Sequence, residues 1–129
     1  MRAEYTNGEM ERMIDALAPL LPRADIIGYA AARNTRALRS AATEYYDMRE
    51  RLVRKHGRMR VDGDGNPTGV YEILPDTPEL EAYRADIAEF QGISHEVELY
   101  RIPSTEVIGK LSGTETLAVY FMLEDGECE

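Results

Sequence analysis

DIIGYAAARNTRALRSAATEYYDMRERLVRKHG, residues 25–57, holds no proline and a single glycine before its last position, Gly28 near its start. Asp25 is a residue type that caps helix N-termini and Gly57 one that stops helices, so the stretch predicts one helix over 25–56. Along it Ile27, Ala31, Asn34, Leu38, Ala41, Tyr45, Met48 and Leu52 recur in alternating steps of four and three, a heptad seam. Such a helix would be roughly 46 Å long, against a radius of gyration of about 14 Å for a compact chain of this size. It should therefore span the domain or protrude from it. The seam's alanines allow close approach of a partner helix, and Asn34 is the kind of polar residue that fixes register. Two readings of the seam stand: packing within the chain, and self-association into a homo-oligomer.

Toward the N-terminus, Thr6-Asn7-Gly8-Glu9 has the form of a capping box, followed at helical spacing by Met10, Met13, Ile14, Leu17 and Leu21. A helix over 7–20 is expected, ended by Pro22. Beyond Gly57, Asp62 to Pro67 concentrates turn formers between two β-favouring segments, which predicts a β-hairpin over 58–74. Asp76 or Thr77 can cap a helix over 78–90 with Pro78 in its first turn, and Leu80, Tyr83, Ile87 and Phe90 form its apolar face. This helix is expected to return antiparallel along the seam, giving a three-helix bundle with the first. A strand over 94–102 and a C-terminal helix over 113–124, opened by the second capping box Ser112-Gly113-Thr114-Glu115, complete the chain. The expected architecture is a single helix-dominated α+β domain over 1–129: a long central helix packed by shorter helices, with a small antiparallel sheet.

Composition fits a folded globular protein, with 43% hydrophobic and 30% charged residues among 129. The apolar runs are too short to span a bilayer and the first residues lack a signal-peptide pattern, so the expected location is cytoplasmic, with no membrane partner. The net charge of −9 is unevenly spread: residues 23–60 carry ten Lys and Arg against four acids, residues 61–129 three against sixteen. These regions can neutralise each other within the fold, or one of them can face a partner. The lone cysteine, Cys128, sits in EDGECE and reads as an incidental thiol.

The search for chemistry yields no catalytic residue, no metal site and no cofactor. Asp62, Asp64 and Asn66 match the first, third and fifth positions of a calcium loop, but Pro67 and Ile73 stand where Gly and Glu are required. Two histidines and one cysteine cannot make a structural zinc site. His56 reads as a cation at a helix C-terminus more readily than as a base, and Ser94-His95-Glu96 cannot converge because adjacent strand residues face opposite ways. Asp47 with Arg51, and Glu50 with Arg54, are spaced for helix-surface ion pairs.

Arg33, Arg36 and Arg39 stand on one helix arc with no acid within four residues, and form the candidate interaction surface. They can pair with the acidic third helix or the C-terminal segment, dock an acidic protein, or contact nucleic acid. The last is the weakest reading, since phosphate contact needs a broader basic surface and a chain at −9 is repelled by DNA.

The run Leu21-Pro22 to Leu38, with Gly28-Tyr29 and Arg33-Asn34, resembles the start of a family of small uncharacterised phage and prophage proteins of Gram-positive bacteria. Glu96-Val97-Glu98-Leu99 and Phe121-Met122-Leu123-Glu124 are similar to two further features of that family, whereas Asp62 to Leu74 departs from it. The resemblance implies no established activity; it implies an accessory product of a phage structural or late gene module, with virion association one option. The expected function is thus a non-enzymatic structural, assembly or protein-interaction protein acting through a long helix and charged faces. The alternative is a small acidic regulatory protein that binds a host factor as a nucleic-acid mimic or adaptor. An enzyme comes third.

Overall fold

The computed structural model describes residues 2–124. Cys128 lies outside them. The fold is α+β and helix-dominated, in the order β1 (Arg2–Thr6), α1 (Asn7–Leu17), α2 (Ile26–Ala41), α3 (Thr43–His56), β2 (Arg58–Val61), β3 (Pro67–Glu72), α4 (Pro78–Gln91), β4 (Ser94–Glu98), β5 (Ile102–Pro103), α5 (Gly113–Ala118) and β6 (Leu123–Glu124). Short 3₁₀ turns occupy Ala18–Leu20, Ser104–Val107 and Tyr120–Met122. Where one domain was expected, the chain divides into two compact units: a discontinuous one made of the chain up to Ala42 and from Ser94 onward, and a central one, Thr43–Ile93.

The division corrects the central expectation. The helix over 25–56 is two helices, separated at Ala42, whose dihedrals of −101° and 15° leave the helical range. Neither proline nor glycine stands there. The seam is shared out: Ile27, Ala31, Asn34 and Leu38 are buried in the discontinuous unit, Tyr45 and Leu52 in the central one. Ala41 and Met48 are half-buried. The three-helix bundle is likewise replaced by two pairs, α1 with α2 and α3 with α4.

In the discontinuous unit, β1 pairs antiparallel with β4, Arg2 opposite Glu98 and Thr6 opposite Ser94. The capping box forms as expected: Glu9 N–H donates to Thr6 Oγ1 (3.1 Å) and Thr6 N–H to Glu9 Oε1 (2.8 Å). It turns the strand into α1, which buries Met10, Met13, Ile14 and Leu17. The expected helix over 7–20 is α-helical only to Leu17, its last turn tightening to 3₁₀ at Pro19. Gly28 N–H donates to the cap Asp25 Oδ1 (3.1 Å), and a Cβ on Gly28 would stand 1.9 Å from the Arg23 carbonyl oxygen, so a side chain is excluded there.

The strand over 94–102 stops pairing at Glu98. Beyond it the backbone of Tyr100 is taken by the side chain of Asn34, whose Nδ2 donates to Tyr100 O (2.9 Å) and whose Oδ1 accepts from Tyr100 N–H (2.7 Å). Ile102 then pairs with Leu123 in a short parallel contact between β5 and β6. The helix over 113–124 ends at Ala118; a 3₁₀ turn at Tyr120–Met122 follows, and Leu123 is drawn into its pairing with Ile102.

In the central unit, β2 and β3 form the expected hairpin, Arg58 opposite Glu72, with a register irregularity between Met59 and Val61. Gly57 sits where a Cβ would meet the carbonyl oxygens of Glu72 and Val53, each at 2.5 Å, so the hairpin can start directly beneath the end of α3. Tyr45, Leu52 and Ile87 supply the buried core between α3 and α4. The cap of α4 is Thr77, whose Oγ1 accepts from Leu80 N–H (3.2 Å). No helix among the described residues is long and apolar enough to cross a membrane.

Candidate protein-interaction surface

On α2, four residues after Tyr29, stands Arg33. The Tyr29 and Tyr100 rings meet edge to face, centroids 5.6 Å apart at 85°. The Arg33 guanidinium lies over both, 4.7 Å from the Tyr100 centroid and 5.9 Å from that of Tyr29. Such cation–π contacts are worth about 0.5–1 kcal/mol each at an exposed site and, more to the point, fix the orientation of the guanidinium. Tyr29, Arg33, Arg36, Ala37 and Ser40 line a shallow groove of about 580 Å³. Beside it Asn34, fully buried one position after Arg33, holds the backbone of Tyr100.

Arg33 and Arg36 are exposed and form no ion pair among the described residues. Arg39 is also exposed but lies outside the groove and has an interaction of its own. The arc of three arginines is therefore a pair, joined by two tyrosines. Tyr29 was within reach of sequence reasoning through its i, i+4 relation to Arg33. Tyr100 was not, since it arrives from another element.

The remaining candidates resolve differently. His56 stands in the last turn of α3, as its place before Gly57 suggested, and its Nε2 lies 2.7 Å from Asp86 Oδ2, with Lys55 Nζ 3.5 Å from the same oxygen, so it also ties α3 to α4. The hydrogen bond with His56, aided by Lys55, holds the Asp86 carboxyl below its usual range despite some opposing desolvation. His95 lies in β4 opposite Tyr5. Asp62 Oδ1 accepts from both Asp64 N–H and Asn66 N–H at 2.9 Å, which makes the calcium-like stretch a self-bonded turn. Of the two expected helix ion pairs, Glu50 with Arg54 forms at 3.0 Å, while Asp47 and Arg51 only share a surface depression with them. No group of three or more His, Cys, Asp or Glu among the described residues is placed to hold a metal ion.

One oriented cation, Arg33, and a second exposed one, Arg36, beside two aromatic rings can engage carboxylates and apolar or aromatic side chains together, a combination typical of protein contact hot spots. Compared with family models, with curated proteins and with solved structures, the chain matches none.

Proposed function

We propose that this is a non-enzymatic protein-interaction protein that docks an acidic partner through Arg33 and Arg36, in the manner of the phage and prophage structural or assembly products its sequence resembles. The observation that carries the reading is an arginine held in place by Tyr29 and Tyr100, beside a second exposed arginine, with no acid of the described chain satisfying either. Pre-orienting the guanidinium lowers the entropy lost on binding, and unpaired charge gives both a faster encounter and selection against basic partners. The seam supports this surface over self-association, because most of its apolar side chains are already buried within the chain.

The test is a photo-crosslinking residue at Ala37, on the groove wall, in cells that carry the protein's own genetic context. The expected product is one dominant adduct with a protein presenting an acidic face, lost when Arg33→Glu and Arg36→Glu are combined while the circular dichroism spectrum is retained. An adduct unaffected by the double reversal, or one formed with nucleic acid, would overturn the reading.

A further inference from the structure

The residues lining the groove of about 580 Å³ all come from α2: Tyr29, Arg33, Arg36, Ala37 and Ser40, at positions i, i+4, i+7, i+8 and i+11. On a helix these fall into two neighbouring rows of residues four apart, Tyr29-Arg33-Ala37 and Arg36-Ser40. The furrow between two such rows is what a ridge of another helix packs into. Four of the five residues are exposed and Ala37 is half-buried. The other side of α2, with Ile27, Ala31, Asn34 and Leu38, is already buried in the unit's core, so this face is the helix's second packing surface. The small side chains of Ala37 and Ser40 leave room at its C-terminal end for a second backbone at the interaxial distance of packed helices, about 8–10 Å.

The charge of the lining residues themselves decides what can cover the face. Arg33 stands in one row and Arg36 in the other, so the furrow has a cation on each side, and neither forms an ion pair among the described residues. A second copy of the chain laid on it through the same face would set four arginines against one another, which argues against self-association here. Resting on the acidic docking proposed above, we infer that the docked segment is an α-helix of another protein. Its apolar ridge at i, i+4 and i+8 lies in the furrow, and carboxylates at i+1 and i+7, on either side of the i+4 residue, meet Arg33 and Arg36. An extended acidic segment repeats its side chains in a straight line, and would set its carboxylates along the furrow instead of across it.

The probe is a fluorescein-labelled peptide of about five helical turns, long enough to hold a helix, titrated by anisotropy against the full chain. It carries leucine and alanine along the ridge, glutamates at i+1 and i+7, and neutral polar residues elsewhere. Its counterpart has the same composition with the glutamates moved to i+2 and i+6, on the far side of the helix, and circular dichroism checks that the two are equally helical. The first peptide is expected to bind, the counterpart at least about tenfold more weakly, and Ser40→Phe, which fills the furrow, to weaken the first by about tenfold or more. Ser40 is exposed, and circular dichroism of that variant checks that the fold is retained. Failure of the first peptide to bind, or undiminished binding to Ser40→Phe, would overturn the inference. Equal binding of both peptides, abolished by Arg33→Glu with Arg36→Glu, would remove the helix and leave acidic docking standing; binding that the double reversal leaves intact would remove both. A dimer of the unmodified chain that the double reversal abolishes would also overturn the inference, since the face would then belong to a second copy.

Discussion

Asn34 shows what a polar residue in an apolar seam can be for. It is fully buried, and its amide supplies a donor and an acceptor to the backbone of Tyr100, 66 positions away in the chain. Asn34→Leu is expected to cost about 2–4 kcal/mol, because it strands two backbone groups in a partly buried place; urea unfolding checks it. The same substitution should loosen the Arg33 stack by freeing Tyr100. Asp86 gives the pH prediction. Its folded pKa lies below the usual 3.8, so its contribution is present above that value and is lost as pH falls through the lower folded one. Comparing acid unfolding of the wild type with Asp86→Asn should show a stability gap that closes as pH falls below 3.8. The sequence marked Arg33, Arg36 and Arg39 as one helix arc because helical spacing is local information. It could not supply the Tyr100 ring, or distinguish a register-setting asparagine from a clamp on a distant loop, because both depend on how a later segment returns to α2.

Elements whose boundaries depend on local chemistry were readable. Thr6, Asp25, Thr77 and Ser112 all cap the helices their side chains suggested, and the turn at Asp62 to Asn66 closes the hairpin. The failures have one cause in common: tertiary packing chose the ends. The seam continues past Ala42, yet its apolar residues serve two different cores; the pattern after Ser112 suggests a longer helix, yet Leu123 is taken into the pairing with Ile102. β1 was missed because a short strand at the chain's start gains its meaning only from β4. Glycines offer a clean check at this scale. Gly57→Ala would push a Cβ to within 2.5 Å of two carbonyl oxygens and is expected to cost about 1–3 kcal/mol. Gly92→Ala meets nothing within 4 Å at a φ of −85°, and should stabilise by about 0.4–1 kcal/mol through the unfolded chain. Thermal unfolding of the two variants should move in opposite directions.

At the scale of the whole molecule, the two units have separate cores, and cavity mutations should reveal them separately. Leu38→Ala and Leu52→Ala each remove a buried side chain, with an expected cost of about 2–5 kcal/mol. Segment-resolved hydrogen exchange should show the first accelerating amides before Ala42 and after Ser94, and the second those in Thr43–Ile93. Acceleration of all segments alike by either variant would make the molecule one cooperative body. The nesting of one unit inside the other also sets an order of events at the ribosome. The pairings within Thr43–Ile93 have both partners in hand once Ile93 has emerged, whereas Arg2 must wait for Glu98 and Ile102 for Leu123. The inner unit can therefore be finished while β1 is still without its mate.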